Sequence, residues 1–344
     1  MRKPVVLSIV ITAKTPHSEN DTQGILLEMN AHAPRIGVVL SSGGGRGIYA
    51  HTGFLLALEQ LGITISASAG CSAGAVVGGV VASGTRIADW SATIAQVKRK
   101  EFWIPDSLLY FFWRMTIQKG RGYTGLAAAD TAIDFCQRNL TVDTFEQCRY
   151  PFYTVAVDLG CQRKAIFSQG KLAPRMMASA AMPVLYRPVE IDANFYCDGA
   201  LIEMAPMDAI CCKHGLDAVI IHHVSQRGSG DIRSALRGRW ALLEIMNRLL
   251  FHQRPWYLGD EGGISFHRCP CDCGAVVVVI EPELPALSWP LTEGGSKVQN
   301  AAKTQVVSLL QPYLENLMNN PQEKLPDQPI NRNESVSLDS GACK

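Results

Sequence analysis

At 344 residues, 47% of them hydrophobic, the chain can bury the core of one or two domains. Charged residues make up only 18% and leave a net charge of +1, which argues against nucleic acid or a strongly acidic partner. No apolar run approaches the roughly 20 residues that a membrane-spanning helix requires.

The chain opens with "MRKPVVLSIVITAK", which loosely imitates a secretory signal. Pro4 interrupts its short apolar stretch and no A-x-A cleavage site follows, so it reads as an extension rather than a cleaved leader. Residues 14–34 are polar and aperiodic, and 1–34 is set aside as an N-terminal extension without regular structure. "IGVVLS" then gives a buried strand ended by glycines, and helical spacing runs from Ala50 to Leu61, with Gly62 as the stop. "ITISASAG" is a second strand, followed by a small-residue helix from Ala73 to Ala82. Strand, helix, strand, helix in this order predicts a βαβ unit and a mainly parallel sheet with helices on its faces.

Further strands are expected at "FYTVAVDL", "KAIFSQ", "PVEI", "FYCDGA", "DAVIIHHV" and "AVVVVIEP". Asp231 to His252 is amphipathic, and Val298 to Leu317 reads as a closing helix. The Pro- and Asn-rich residues 319–344 contain almost no core formers and are expected to be disordered, leaving one domain over 35–318. The segment "EFWIPDSLLYFFWRM" holds Phe102, Trp103, Tyr110, Phe111, Phe112 and Trp113. Aromatic density of this kind suits a lid or a lipid-interface contact, with Trp103, Phe111, Phe112 and Trp113 as its candidates. A helix packed into the core fits the pattern equally well.

Eleven cysteines is an odd number, and Cys136, Cys161, Cys211 and Cys212 fall in apolar patterns that suit reduced, buried thiols. Cys269, Cys271 and Cys273 in "CPCDCG" are one residue apart, unlike the CxxC spacing of structural zinc sites. A cysteine-rich surface loop is the plain reading. A metal or redox switch is the alternative.

Two glycine clusters carry the chemistry. Gly70-Cys71-Ser72-Ala73-Gly74 has G-x-S-x-G spacing between a strand and a helix, the context in which a strained turn pushes a serine hydroxyl out of the sheet. The flanking Gly70 and Gly74 let neighbouring backbone come close, and the helix start favours an oxyanion at Ser72. Gly43, Gly44 and Gly45 also lie between strand and helix. They lack the following Lys-Ser or Lys-Thr of a phosphate loop and the spacing of a dinucleotide fingerprint, so bare amides for an oxyanion fit better. The base stays open on these grounds. His222 or His223 with Asp198 would imitate a Ser-His-Asp triad, whereas Asp198 alone would need burial to raise its pKa.

Together these blocks resemble the patatin-like phospholipase family. The resemblance rests on Ser42 to Gly45, Gly70 to Gly74, "ASAAMPVLYRPVEI" with Pro183, and Asp198-Gly199-Ala200, and it covers about Arg35 to Val224. It implies a three-layer α/β/α sandwich and lipid acyl-ester hydrolysis by a Ser72–Asp198 dyad without histidine, metal or cofactor. Gly43, Gly44 and Gly45 become the oxyanion hole. A lipid or lysolipid is the implied substrate. Separately, the lack of a convincing signal segment makes the cytoplasm or its membrane face the expected location. One departure stands out: the family's S-G-G-G-x-R-G places its arginine where this chain has Gly47, while Arg46 comes one place early.

Overall fold

The computed structural model describes residues 33–224, 232–237, 241, 245, 255–258, 263–271, 273–285, 287 and 294–325. Met1–Ala33 and Pro34–Lys344 form separate units, and every element below belongs to the second. The expected N-terminal extension, most of Asp231 to His252 and the chain after 325 lie outside the described residues.

The first βαβ unit is β1 (Ile36–Leu40), α1 (Gly44–Gln60) and β2 (Ile65–Cys71), followed by α2 (Ala73–Ser83). Helix α1 starts six residues before Ala50, because the glycine run itself forms its first turn. That turn has no intrahelical amide bonds to lose, so weak helix formers are tolerated there. Next come α3 (Ile87–Gln96), α4 (Leu108–Thr116), β3 (Gly125–Ala127), α5 (Asp130–Arg138), β4 (Phe152–Asp158), β5 (Arg163–Phe167) and α6 (Leu172–Ala180). Short strands β6 (Val184–Tyr186), β7 (Val189–Ile191) and β8 (Asn194–Asp198) lead to β9 (Ala218–His222) and α7 (Ile232–Arg237). The chain continues with β10 (Gly263–Arg268), β11 (Val276–Glu281), α8 (Gly295–Leu310), α9 (Leu314–Asn319) and α10 (Pro321–Lys324).

The expected closing helix is therefore two helices, with a 3₁₀ turn at Gln311–Tyr313 between them. Pro312 lacks the amide that an uninterrupted helix would need there. The fold also runs past 318: Pro321 and Leu325 are buried.

A nine-stranded sheet has the order β10-β11-β9-β1-β2-β4-β8-β7, with β5 on β4. From β11 to β4 neighbouring strands are parallel, while β5, β8 and β10 run antiparallel to their neighbours. Strands β1 and β11 are almost wholly apolar because both faces are covered, while β2, β4 and β9 admit a few polar residues such as Ser68, Thr154 and His222. Ile36, Val38 and Leu40 of β1 join a core with Phe54, Val77, Trp90, Met176 and Val306 of the helices. Val39, pointing the other way, joins Val219, Ile221, Val277, Met207, Ile210 and Tyr257. The architecture is the expected α/β class with a mainly parallel central sheet.

One detail of β4 positions the site. Strand β5 pairs with Thr154 to Asp158, overlapping both β2, opposite Phe152 to Val155, and β8, opposite Ala156 to Asp158. A strand has two edges, so β2 and β8 must share the edge that β5 leaves free. They lie end to end along it, with Cys71 opposite Val155 and Asp198 opposite Ala156. The C-terminal ends of β2 and β8 thus meet head-on.

Candidate active site

Ser72 follows β2 directly and serves as the N-cap of α2, with φ 53° and ψ −116°. Positive φ is costly for a residue with a Cβ and persists only where the surroundings enforce it. The enforcing contacts are tight. A Cβ on Gly70 would lie 2.3 Å from Gly74 O, and one on Gly74 would lie 2.2 Å from Leu40 O. The Ser72 amide donates to Ser179 Oγ at 3.0 Å, tying the turn to α6. Ser179, fully buried, was not singled out from the sequence, because its partner lies 107 residues away.

Asp198 ends β8 and caps a 3₁₀ turn at Gly199–Leu201, its Oδ1 accepting from the Ala200 amide at 2.9 Å. The other carboxylate oxygen, Oδ2, accepts from Ser72 Oγ at 2.8 Å. Both residues are buried, Ser72 6% and Asp198 1% exposed. Gly199 crosses β4 so closely that a Cβ would sit 2.3 Å from Val155 O, and Ala200 packs on Cys71 and Val155. Burial pushes the Asp198 carboxyl up to about 7, against the opposing pull of its hydrogen bonds from Ala200 and Ser72. A carboxylate tuned near neutrality and hydrogen-bonded to a strained hydroxyl can accept that hydroxyl's proton.

The glycine loop lies beside this pair. Within α1 the Gly47 amide bonds Gly43 O at 2.8 Å, the first bond of the helix, so the amides of Gly44 and Gly45 precede its intrahelical ladder. Gly44 has φ +55° with open space around it, a conformation that favours glycine. The Ser42 amide donates to Met204 O at 2.8 Å, anchoring the loop to the segment after Asp198. Position 47 is tight: a Cβ there would lie 2.8 Å from Ala73 Cβ, next to Ser72. Arg46, half-buried on the preceding position, has its guanidinium pKa lowered by burial.

The histidines form a separate network. His51 Nε2 lies 2.7 Å from Ser41 O, and a carbonyl only accepts, so that nitrogen carries the proton. His51 Nδ1, 2.8 Å from His222 Nδ1, must then accept, which puts the His222 proton on Nδ1. Both rings are fully buried and kept neutral, His51 down to about 3 by desolvation. His222 stacks on Phe54, and His223 lies 3.2 Å from Tyr257 Oη. The pair holds the carbonyl that begins the glycine loop; the Ser72 hydroxyl points at Asp198 instead. Sequence reading also missed Lys164, which bridges Glu203 at 2.7 Å and Asp208, close after Asp198 in the chain. Burial, chiefly, raises Glu203 to about 7.

Within the aromatic segment Phe102 packs against the main core, whereas α4 lies outside it. Helix α4 has no buried residue, and Leu109 and Phe112 are 84% and 59% exposed, with Leu108, Trp113, Met115 and Ile117 also exposed. Trp103 differs: it is half-buried and its Nε1 donates to Leu185 O at 3.1 Å. Phe111, half-buried, rests edge-on against Tyr123. Among the cysteines, Cys161 is disulfide-bonded on a turn after β4 and Cys212 is exposed, so neither is the buried thiol expected from its apolar surroundings. The sulfurs of Cys211, Cys212, Cys269 and Cys271 converge to within 4.8 Å of one another.

Among curated proteins, the chain is 32% identical over 207 residues to an uncharacterised NTE family protein of Mycobacterium tuberculosis, covering 59% of this chain and 52% of that one. It is 27% identical over 219 residues to a lysophospholipase of Cryptococcus neoformans, covering 62% and 13%. The chain thus spans about half the length of its mycobacterial relative and far less of the fungal one. Among solved structures, VipD from Legionella pneumophila aligns at a TM-score of 0.46 and 15% identity, covering 81% of this chain and 67% of that one. Human GIVD cytosolic phospholipase A2 aligns at 0.43 and 13%, covering 83% and 59%. The patatin-like phospholipase family model matches residues 38–210, half of the chain, from the strand before the glycine loop to just beyond Asp198. Its match spans Ser72, Asp198 and the strands that bring them together, and by it the chain belongs to the patatin-like phospholipase family, a family of lipid acyl hydrolases.

Proposed function

We propose that this chain hydrolyses acyl esters of phospholipids or lysophospholipids through Ser72 and Asp198. The observation that carries the reading is the 2.8 Å hydrogen bond from Ser72 Oγ to Asp198 Oδ2 between two buried groups. Ser72 attacks the ester carbonyl while Asp198 takes its proton, and the amides of Gly43, Gly44 and Gly45 receive the developing oxyanion. The alcohol or lysolipid leaves with that proton. Water, deprotonated by Asp198, then releases the fatty acid and restores the serine. The lysophospholipase name of a relative supports a lipid ester as substrate, as does the exposed apolar face of α4, which suits seating in a lipid surface. No helix of the described residues is long and apolar enough to cross a membrane.

The test is labelling with a fluorophosphonate and turnover of p-nitrophenyl esters. Wild-type protein is expected to be labelled at Ser72. Ser72→Ala and Asp198→Asn should each lower turnover by about 10³-fold or more in folded protein, while His223→Ala retains most of it. Full activity in either dyad variant rejects the reading, and loss in His223→Ala would favour a Ser-His-Asp triad.

A further inference from the structure

The turn between β10 and β11 carries Cys269, Cys271 and Cys273, and Cys211 and Cys212 approach it from the segment between β8 and β9. Cys271 Sγ is the hub, lying 3.2 Å from Cys211, 2.9 Å from Cys212 and 2.8 Å from Cys269. All four sulfurs lie within 4.8 Å of one another, and all four cysteines are free thiols. A zinc ion with sulfur ligands at about 2.3 Å requires tetrahedron edges of about 3.8 Å, inside the 2.8 to 4.8 Å spread found here. A disulfide needs about 2.0 Å. An iron–sulfur cluster spreads its thiolates over separate irons and needs a wider cage.

The backbone around the cluster supports the same arrangement. Cys212 has φ 61°, and with that turn two adjacent side chains, which ordinarily diverge, both reach Cys271. The Cys271 amide donates to the Cys269 sulfur, and the Cys212 and Ala275 amides donate to Cys273 just outside the tetrad. Amide donors of this kind stabilise thiolates and orient ligands. Cys211 and Cys269 are buried while Cys212 and Cys271 are exposed, so the group is walled on one side and open to an entering ion on the other.

We propose that Cys211, Cys212, Cys269 and Cys271 bind one zinc ion as a closed tetrathiolate site that fastens the β10–β11 turn to the segment after Asp198. Four soft thiolates with no open position suit zinc in a structural role. Loading releases the four thiol protons and forms four zinc–sulfur bonds, with no oxidant or reductant involved. The proposal does not rest on the esterase reading.

The experiment measures metal content of the full-length chain purified without chelator or reductant. Zinc is expected at about one per chain, released as p-hydroxymercuribenzoate titrates the thiols. Cys212→Ser and Cys271→Ser should lower zinc content at least about tenfold, since each removes a ligand. Cys148→Ser, remote from the cluster, and Ser72→Ala should keep it. In case a ligand variant fails to fold, the wild-type thiols provide a second readout: those of the tetrad should react with a disulfide reagent only after chelation. A folded wild-type chain that takes up no added zinc overturns the proposal. So do zinc retained by both ligand variants, iron in place of zinc, or a two-proton mass loss marking a disulfide within the tetrad.

Discussion

Asp198 has its ordinary proton affinity only in the unfolded chain; in the fold, burial holds the carboxyl at about 7. Two consequences follow with opposite signs. A base must be ionised to act, so the kcat/KM profile for a soluble ester should fall about tenfold per pH unit below a midpoint near 7. Stability behaves differently. Between about pH 4 and 7 the native state holds a proton that the unfolded chain has already released, so stability falls as pH rises through that window and levels off above it. Asp198→Asn removes the ionisation and its cost of up to about 4 kcal/mol. The variant should therefore melt several degrees above wild type at pH 8 and close to it at pH 4.5, as scanning fluorimetry will read. At this scale the sequence was partly legible. Gly70 and Gly74 announced the elbow because no other residue fits where their Cβ atoms would fall. Asp198-Gly199 reads as an ordinary turn, and only the family resemblance distinguished it. The partnership of His51 with His222, 171 residues apart, left no local trace.

Helix α1 and the elbow approach each other through glycines, so added side-chain volume is predicted to act on both fold and chemistry. Gly47→Ala should cost about 1–3 kcal/mol in denaturant titration and lower any ester turnover with it, because its methyl would press on Ala73 beside Ser72. Gly74→Ala should cost at least as much, since it meets the Leu40 carbonyl rather than a movable side chain. Helix α4 presents the reverse case, with Leu108, Leu109, Phe112 and Trp113 left exposed. Burying Leu109 and Phe112 in a lipid interface is worth roughly 1.5–3 kcal/mol each. Leu109→Asp with Phe112→Asp should weaken binding to phosphatidylcholine vesicles by more than about tenfold, while turnover of a short soluble ester persists. Flotation and a parallel ester assay separate the two effects, and unchanged flotation rejects the lipid-contact role. Aromatic density could not decide between core and surface beforehand, because both environments favour the same residues. Only the neighbours decide: α4 has no buried residue and touches little beyond Tyr123, while Trp103 has found Leu185.

Over the whole molecule, the parallel sheet was legible from alternating strand and helix patterns, since strands covered on both faces must be continuously apolar. The strand order was not. Which edge of β4 receives β8, and which thiols meet across a 60-residue gap, are settled by packing rather than by any stretch of residues. The end-to-end seating of β2 and β8 on β4 makes the chemistry a gauge of alignment. Ser72 and Asp198 arrive on separate strands, each set against the third by its ladder. A slip of β8 by one residue would carry Asp198 about 3.3 Å along β4 and turn its side chain to the opposite face of the sheet. The β7–β8 hairpin is short and near the edge of the sheet, so a one-residue insertion there could leave most of the core intact. Ser72 would then point at nothing, and a loss of acyl transfer in an otherwise well-folded protein would be the first sign that two strand ends no longer meet.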